Sequence, residues 1–225
     1  MNISNPLKRD RKGIVAARVL DEPSRQGVIE ILAATYQREK GWVANPAEQI
    51  PPGDLTRNDV SWFLARSRNK PVGALRVHYA PSLEQYASYG FKMIDPNFNV
   101  EDFLRRARIA EVGRFCVLPE SRGGIAIVAA LMRSVTHETV ERGFTHLITD
   151  VFEGDPHSPY NFHTRVLGFR PVATHDRGEL NTDSKRITLL LDIKAAYRSL
   201  SAGKGWLFRY LTDEWDASMH RRLVA

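Results

Sequence analysis

The chain has 225 residues, 43% of them hydrophobic, a net charge of +6 and one cysteine, Cys116. This length can bury a full core, so we expect a single domain over residues 1–225, and one cysteine excludes an internal disulfide and a cysteine-based zinc site. The first 13 residues lack the apolar core of a signal peptide, and no apolar window reaches the roughly 18 residues that a membrane span needs, so we expect a cytoplasmic protein.

The positive charge falls in three clusters, at residues 8–12, 105–108 and 194–222. An excess of this kind favours an acidic partner, which can be nucleic acid, an anionic membrane surface or an acidic carrier protein. A solvated basic surface explains the charge equally well. Charge alone therefore does not choose the partner.

The first predicted elements are a strand and a helix. Residues 1–12 are polar and are expected to be mobile, whereas residues 13–20 have the β-branched content of a strand. Apolar residues at helical spacing follow a helix-start segment. They predict a helix that runs to about Lys40 and ends at Gly41.

The next predicted elements are a loop and a hairpin. Three prolines and a glycine within residues 42–58 predict a surface loop. Trp42 anchors this loop, which either closes over a substrate or plugs the end of the helix. Residues 60–65 and 72–79 predict the two strands of a hairpin, and Arg76 interrupts the apolar pattern of the second strand.

Residues 109–144 predict a short strand, a turn and a helix of about five turns. The turn contains Gly123 and Gly124 and opens directly into the helix. Several backbone N–H groups are then unpaired where the helix dipole is positive, so the turn can bind a phosphate. Before this segment, residues 81–108 predict a partly helical insertion rather than a second domain.

The strand before this turn carries an acid and a guanidinium, Glu111 and Arg114, in an otherwise apolar segment. Burying them unpaired would be costly. The pair therefore indicates either a site at the mouth of the phosphate turn or a structural salt bridge at a sheet edge.

The last third of the chain alternates strands and helices. Residues 145–152 predict a strand buried on both faces, residues 160–167 a short helix, and residues 186–193 a further strand. Residues 194–225 predict a helical extension with a break at residues 203–205. Its apolar stripe is typical of core packing.

This order of elements resembles that of the GNAT acyltransferase superfamily. The turn Arg122-Gly123-Gly124-Ile125-Ala126 resembles its donor-binding motif, one residue shorter, and VLGFRPV resembles its second signature. The resemblance implies an α/β fold with a mixed, mostly antiparallel central sheet flanked by helices. It also implies an acyl-thioester donor held by the turn and by the backbone of the preceding strand, at Phe115 and Val117.

A narrower resemblance lies in EVGRFCV and PVGALRV, which are similar to strands of acyl-homoserine-lactone synthases and N-acyl amino acid synthases. It implies substrate-binding positions at Trp42 and Arg76 and an acyl chain drawn from acyl carrier protein. The arginine that lactone synthases carry before the aromatic position Tyr36 is Leu32 here. The acceptor that the resemblance implies is therefore an amino acid or another small amine.

Amide formation from a thioester requires a neutral amine and a proton acceptor. We predict that Glu111 is this base and that Arg114 orients it or binds the acceptor's carboxylate. A β-bulge at Gly113 would bring both side chains to one face of the strand. His157, Tyr160 and His163 are weaker candidates, and the histidine spacing fits no compact metal motif, so no metal is expected.

The predicted function is thus N-acyl transfer from the phosphopantetheine thioester of an acyl carrier protein to a small amine. Transfer from acetyl- or acyl-coenzyme A is the alternative within the same fold. A non-catalytic basic module that binds nucleic acid or a carrier protein is the alternative from another class, and of these two partners nucleic acid is the less expected.

Overall fold

The computed structural model describes residues 13–81 and 88–224. Its centre is a sheet of eight strands, β1 (Ile14–Arg18), β2 (Val60–Ser67), β3 (Lys70–Tyr79), β4 (Lys92–Met93), β5 (Ile109–Val117), β6 (His146–Phe152), β7 (Arg170–His175) and β8 (Arg186–Asp192). Their order is β1-β2-β3-β5-β6-β8-β7-β4, in which β5 and β6 are parallel and the other neighbours antiparallel. The expected mixed, mostly antiparallel sheet is therefore confirmed.

Helices cover both faces of this sheet. They are α1 (Glu22–Leu32), α2 (Val100–Arg106), α3 (Ala126–Glu141), α4 (Ile193–Ala202), α5 (Trp206–Thr212) and α6 (Ala217–Val224). In one hydrophobic cluster, helices α3, α4, α5 and α6 pack against one face of the sheet. In a second cluster, α1 packs against the other face. The apolar stripe of the helical extension is core packing, as predicted, since Leu207, Leu211 and Met219 are buried.

Local sequence explains how the elements before the central strand begin and end. The Asp21 side chain caps α1 by accepting a hydrogen bond from the backbone N–H of Ser24 at 2.8 Å. The helix continues as a π-helical segment, Ala33–Glu39, and ends at Lys40 as predicted. The predicted hairpin turn is also present, with Arg68 and Asn69 both in the left-handed conformation that a two-residue turn requires.

Strand β5 carries a β-bulge. Gly113 pairs with Arg76 and Cys116 pairs with Ala74, so two residues of β5 oppose one residue of β3. The extra residue is at Arg114, whose φ is +52°, and not at Gly113 as the sequence suggested. The bulge rotates Arg114 toward the face that carries Glu111.

The parallel strands β5 and β6 separate partway along their length. They pair from Ile109 and His146 to Val112 and Thr149, and no pair continues the ladder beyond these residues in the described structure. The separation opens the middle of the sheet at the end of β5 that leads to the glycine turn.

The prediction that β6 is buried on both faces is wrong. Leu147 and Val151 are buried on one face, but Asp150 on the other face is exposed. That face borders cavities instead of a packed helix. Within residues 13–81 and 88–224, no helix has both the length and the apolar character to cross a membrane.

Candidate active site

A cavity of about 510 Å³, which we call the central groove, lies where β5 and β6 separate. The π-helical segment after α1 and the turn before α3 form its other walls. Of the residues expected to bind a donor, the groove is lined by Phe115, Val117, Arg122, Gly123, Gly124 and Ile125. Ala126 is buried at the start of α3 and is not part of the lining.

The glycine turn leaves the first turn of α3 open toward the groove. Gly123 has a φ of +103°, and a Cβ atom at Gly123 or Gly124 would meet no atom within 4 Å. Ile125, which precedes the 16 residues of α3, offers no side-chain cap. The N–H groups and the positive dipole of this helix end are therefore available to an anion.

The side chain of Arg122 braces this turn. Its guanidinium forms two hydrogen bonds with the carboxylate of Glu39, at 2.7 and 2.6 Å, and its Nε donates to the carbonyl of Val117 at 3.1 Å. The hydrogen bond from Arg122 holds the pKa of Glu39 below its usual value. Arg122 thus ties the turn to the helical segment across the groove.

Beside the groove, four charged side chains form a cluster around the bulge. Arg76 Nη2 lies 3.5 Å from Glu111 Oε1 and 3.3 Å from Glu179 Oε2. Arg114 Nη2 donates to the same Glu179 oxygen at 2.7 Å, and its Nε donates to Gln49 at 2.8 Å. The structure therefore brings the predicted residues Glu111, Arg114 and Arg76 together.

Burial and charge act against each other in this cluster. Burial, together with the neighbouring Arg76, lowers the pKa of Arg114. Burial disfavours the carboxylate of Glu179, but the attraction of the two arginines outweighs it and lowers the pKa of Glu179. The two arginines thus stabilise the ionised form of Glu179.

Trp42 lies at the side of the central groove, as expected for a substrate-binding position. The ring centroid of its indole lies 5.3 Å from that of Tyr36, in an edge-on arrangement, and 4.3 Å from that of Phe152, in a tilted one. Its carbonyl accepts a hydrogen bond from the backbone of Asn181. Trp42 therefore joins two walls of the groove and the loop before β8, directly after the end of the helix.

Two smaller cavities continue from the groove. The junction pocket, about 70 Å³, is bordered by Tyr36, Glu111, Arg114 and Glu179. The apolar pocket, about 280 Å³, lies between the sheet and α2; its apolar lining comes from Phe91, Met93, Phe98, Val100, Phe103, Leu104, Ile109, Ile148, Val172, Ala173 and Leu190. Glu111 lies at the boundary of both pockets.

Asp150, which no sequence pattern singled out, lies where these cavities meet. Its carboxylate accepts a hydrogen bond from Thr188 at 2.7 Å and lies 3.1 Å from Nε2 of the buried His175. Glu179 and Gln49 were missed as well, because they occupy polar loop segments without a distinguishing motif.

The weaker candidates among the aromatic and histidine residues separate into two groups. His157 borders the groove. His163 is buried against Phe115 and Phe169, its Nδ1 donates to a carbonyl, and burial lowers its pKa. His163 is thus a packed, neutral side chain, and Tyr160 packs against the same core.

Within residues 13–81 and 88–224, no group of three histidine, cysteine, aspartate or glutamate side chains is placed to hold a metal ion. Cys116 borders the groove but is buried, and its burial raises the pKa of the thiol to about 12. At neutral pH this thiol is protonated and a poor nucleophile.

Comparison with solved structures identifies the fold. FeeM, an N-acyl amino acid synthase from uncultured soil microbes, matches with a TM-score of 0.63 and 15% identity, over 84% of this chain and 96% of FeeM. Aminoglycoside 6′-acetyltransferase type Ii matches with a TM-score of 0.55 and 16% identity, over 80% and 97% of the two chains. A ribosomal-protein α-N-acetyltransferase in complex with coenzyme A matches with a TM-score of 0.54 and 12% identity, over 80% and 94%.

No protein-family profile and no curated protein sequence matches the chain. The structural matches span most of this chain and nearly all of each matched protein. The chain has the fold of the GNAT acyltransferases.

Proposed function

We propose that the protein is an N-acyltransferase that moves an acyl group from a phosphopantetheine thioester to the amine of an amino acid or a similar small molecule. One observation carries this proposal. The central groove, which is lined by the open helix end at Gly123 and lies where β5 and β6 separate, shares lining residues with the junction pocket, which Glu111 borders.

The central groove suits the donor. The phosphate binds at the N–H groups of the glycine turn, and the pantetheine arm lies between β5 and β6, where the sheet ladder has ended. The strand backbone at Phe115 and Val117 faces this groove and can pair with the amides of the arm. This arrangement places the thioester beside the bulge at Arg114.

The charged cluster suits the acceptor and the proton transfer. Glu111, directly or through water, accepts the proton of the acceptor's ammonium group, and the neutral amine then attacks the thioester carbonyl. Arg76 and Arg114 bind the acceptor's carboxylate in the position that the Glu179 carboxylate occupies in this structure. Glu179 lies in the loop between β7 and β8 and is one-third exposed, so it can give way.

The apolar pocket suits the acyl chain. It begins at Glu111 and is walled by the insertion between β3 and β5. Its volume of about 280 Å³ is about twice the roughly 150 Å³ of a cavity that holds benzene. This space favours an acyl chain longer than an acetyl group.

The glycine turn and the net charge favour a carrier protein over coenzyme A. Coenzyme A presents a pyrophosphate, whereas the prosthetic group of a carrier protein presents one phosphate, for which the short turn from Arg122 to Ala126 suffices. At the groove itself Arg122 and Lys40 are paired with Glu39 and Asp155. Because these two cations are paired, the electrostatic attraction of an acidic carrier protein depends on the net charge of the whole chain, which is +6.

The test offers three donors with the same acyl chain: acyl carrier protein, free acyl-phosphopantetheine and acyl-coenzyme A. A pool of amines is the acceptor, and mass spectrometry identifies the product. We expect the carrier-bound donor to give the highest kcat/KM, and free acyl-phosphopantetheine to exceed acyl-coenzyme A. Raising the ionic strength should reduce only the advantage of the carrier, because exposed charges are screened beyond about 8 Å at physiological salt.

Each other outcome contradicts a definite part of the proposal. Equal or better use of acetyl-coenzyme A, without a salt effect on donor preference, would indicate an ordinary acetyltransferase. Absence of product from all three donors would overturn the enzymatic assignment and favour a binding module.

A further inference from the structure

Asp150 borders all three cavities of the candidate active site. It lines the central groove, the junction pocket and the apolar pocket, and no other residue is common to the three linings in the described chain. It lies on β6 just after the last pair with β5. If the pantetheine arm occupies the groove and the acyl chain the apolar pocket, the sulfur that joins them lies beside Asp150.

His175 behind Asp150 is held in a single orientation. Its side chain has no exposed surface, and Phe91 stacks on the ring at 4.4 Å. Its Nδ1 lies 2.7 Å from the carbonyl oxygen of Arg177, which only accepts hydrogen bonds, so Nδ1 carries a hydrogen. The other nitrogen, Nε2, therefore faces Asp150.

This orientation leaves Nε2 and the Asp150 carboxylate facing each other. A neutral imidazole with its hydrogen on Nδ1 has a lone pair on Nε2, and Asp150 Oδ2 lies 3.1 Å away without a hydrogen bond of good geometry between them. A proton on either atom makes this contact attractive. The pair can therefore hold one proton at the point where the cavities meet.

We propose that Asp150 is the general acid of the acyl transfer, which protonates the departing thiolate, and that His175 positions it and shares its proton. This inference rests on the proposed function. In this assignment Asp150 donates a proton, whereas Glu111 accepts one. Glu111 is on the neighbouring strand and lines the junction and apolar pockets.

The protons balance over the reaction. Glu111 takes one proton from the ammonium group, and the amine nitrogen forms a bond to the thioester carbon. The carbon–sulfur bond then breaks, and the sulfur receives the proton of the Asp150–His175 pair. Loss of the second nitrogen proton returns one proton to the pair, and Glu111 releases the other to solvent. The products are an amide and a thiol.

Charged and aromatic groups on the neighbouring elements surround the Asp150–His175 pair. Arg186 on β8 is attracted to Asp150 and Asp176, and burial lowers its pKa. Glu111 and Glu179 lie on the opposite side of the junction pocket, where Arg76 is within 3.5 Å of both. Tyr89 stacks over His175 at 5.9 Å. Asp150 thus lies between the guanidinium of Arg186 and the charged cluster of the junction pocket.

The test changes the acidity of the leaving group. Asp150→Asn keeps an oxygen for the Thr188 hydroxyl and offers an N–H to the Nε2 lone pair of His175, so the contacts remain while the acidic proton is lost. The variant and the wild type are compared with an acyl thioester and with the matching selenoester, which is nearly isosteric. A selenol is a far stronger acid than a thiol, so a selenolate leaves without help from an acid.

We expect Asp150→Asn to lower kcat with the thioester by roughly two orders of magnitude, the usual scale for loss of general acid catalysis, and by less than about tenfold with the selenoester. His175→Gln should show the same selective loss. Glu111→Gln should lose activity equally with both donors, because amine deprotonation does not depend on the leaving group. Glu153→Gln is the matched control on the exposed turn after β6, and should retain activity with both donors.

The variants are compared at equal donor occupancy, with the unfolding temperature and donor Kd measured for each. Equal losses by folded Asp150→Asn with thioester and selenoester would overturn the role of Asp150 and leave the proposed function intact. Absence of product from the wild type with either donor would overturn both.

Discussion

Arg114 connects two segments that are distant in sequence from β5. Its guanidinium donates to Gln49 and to Glu179, each 65 residues away along the chain. Two diverging hydrogen bonds of this kind need the planar fork of arginine, which the single ammonium of lysine does not provide. The same two bonds hold the backbone of Arg114 in its left-handed conformation at the bulge.

Arg114→Lys tests this role. We expect it to raise KM for the acceptor by roughly tenfold or more, since a hydrogen bond to a charged group is worth about 1.5–3 kcal/mol. Arg66→Lys, which loses a bond to Ser24 away from the three cavities, is the control and should leave KM unchanged. A fall in unfolding temperature with unchanged kinetics of the folded fraction would show that Arg114 is only structural.

Sequence patterns found those candidate site residues that contrast with their surroundings. Glu111, Arg114 and Arg76 are charged positions within apolar strands, and the cost of burying charge makes such positions visible. Glu179 stands in a polar loop, where an acid is unremarkable. Asp150 lies in a strand that appeared fully buried, and the role proposed for it depends on a partner on another strand, which no local pattern reveals.

At the scale of elements, helix α3 has a left-handed glycine at each end. Gly123 precedes it with a φ of +103°, and Gly143 follows it with a φ of +73°. A side chain is disfavoured at both positions because residues other than glycine rarely adopt a positive φ, and the cost is of the order of 1–3 kcal/mol. Only Gly123 borders the central groove.

This difference predicts the behaviour of two matched substitutions. Gly123→Ala and Gly143→Ala should both lower the unfolding temperature, but only Gly123→Ala should weaken donor binding, because it changes the turn that presents N–H groups to the phosphate. We expect an increase in donor Kd of about tenfold or more, equivalent to about 1.4 kcal/mol, measured by calorimetry. Equal Kd values for the two variants would exclude the turn from donor binding.

The elements themselves were largely predictable from sequence. The hairpin, the helix to Lys40 and the strand–turn–helix unit around Gly123 follow from short-range patterns and turn chemistry. The position of the bulge was not predictable, because glycine is the residue expected to adopt a left-handed conformation. Long-range hydrogen bonds place Arg114 there instead.

At the scale of the whole molecule, the helical extension completes the core on the α3 side of the sheet. Leu207, Leu211, Met219 and Leu223 are buried in the same cluster as Leu131 of α3. We therefore propose that residues 194–225 belong to the folding unit and are not a separate appendage.

Truncation before residue 194 should consequently prevent folding. A milder change, Leu211→Ala, should reduce the free energy of unfolding by about 2–5 kcal/mol, the range found for buried leucines. Val224→Ala, at a position 67% exposed, is the control and should change little. Chemical denaturation measures all three. A truncated protein that unfolds cooperatively at wild-type stability would show that the extension is independent.

The interrupted ladder between β5 and β6 also has consequences for motion. It divides the sheet into two half-sheets, β1-β2-β3-β5 and β6-β8-β7-β4, whose direct backbone link is confined to the pairs from Ile109–His146 to Val112–Thr149. Segments with few shared hydrogen bonds open locally as cooperative units. We expect the half-sheets to flex about these pairs, so that a donor lying between them acts as a removable crosslink and slows amide hydrogen exchange on both sides at once.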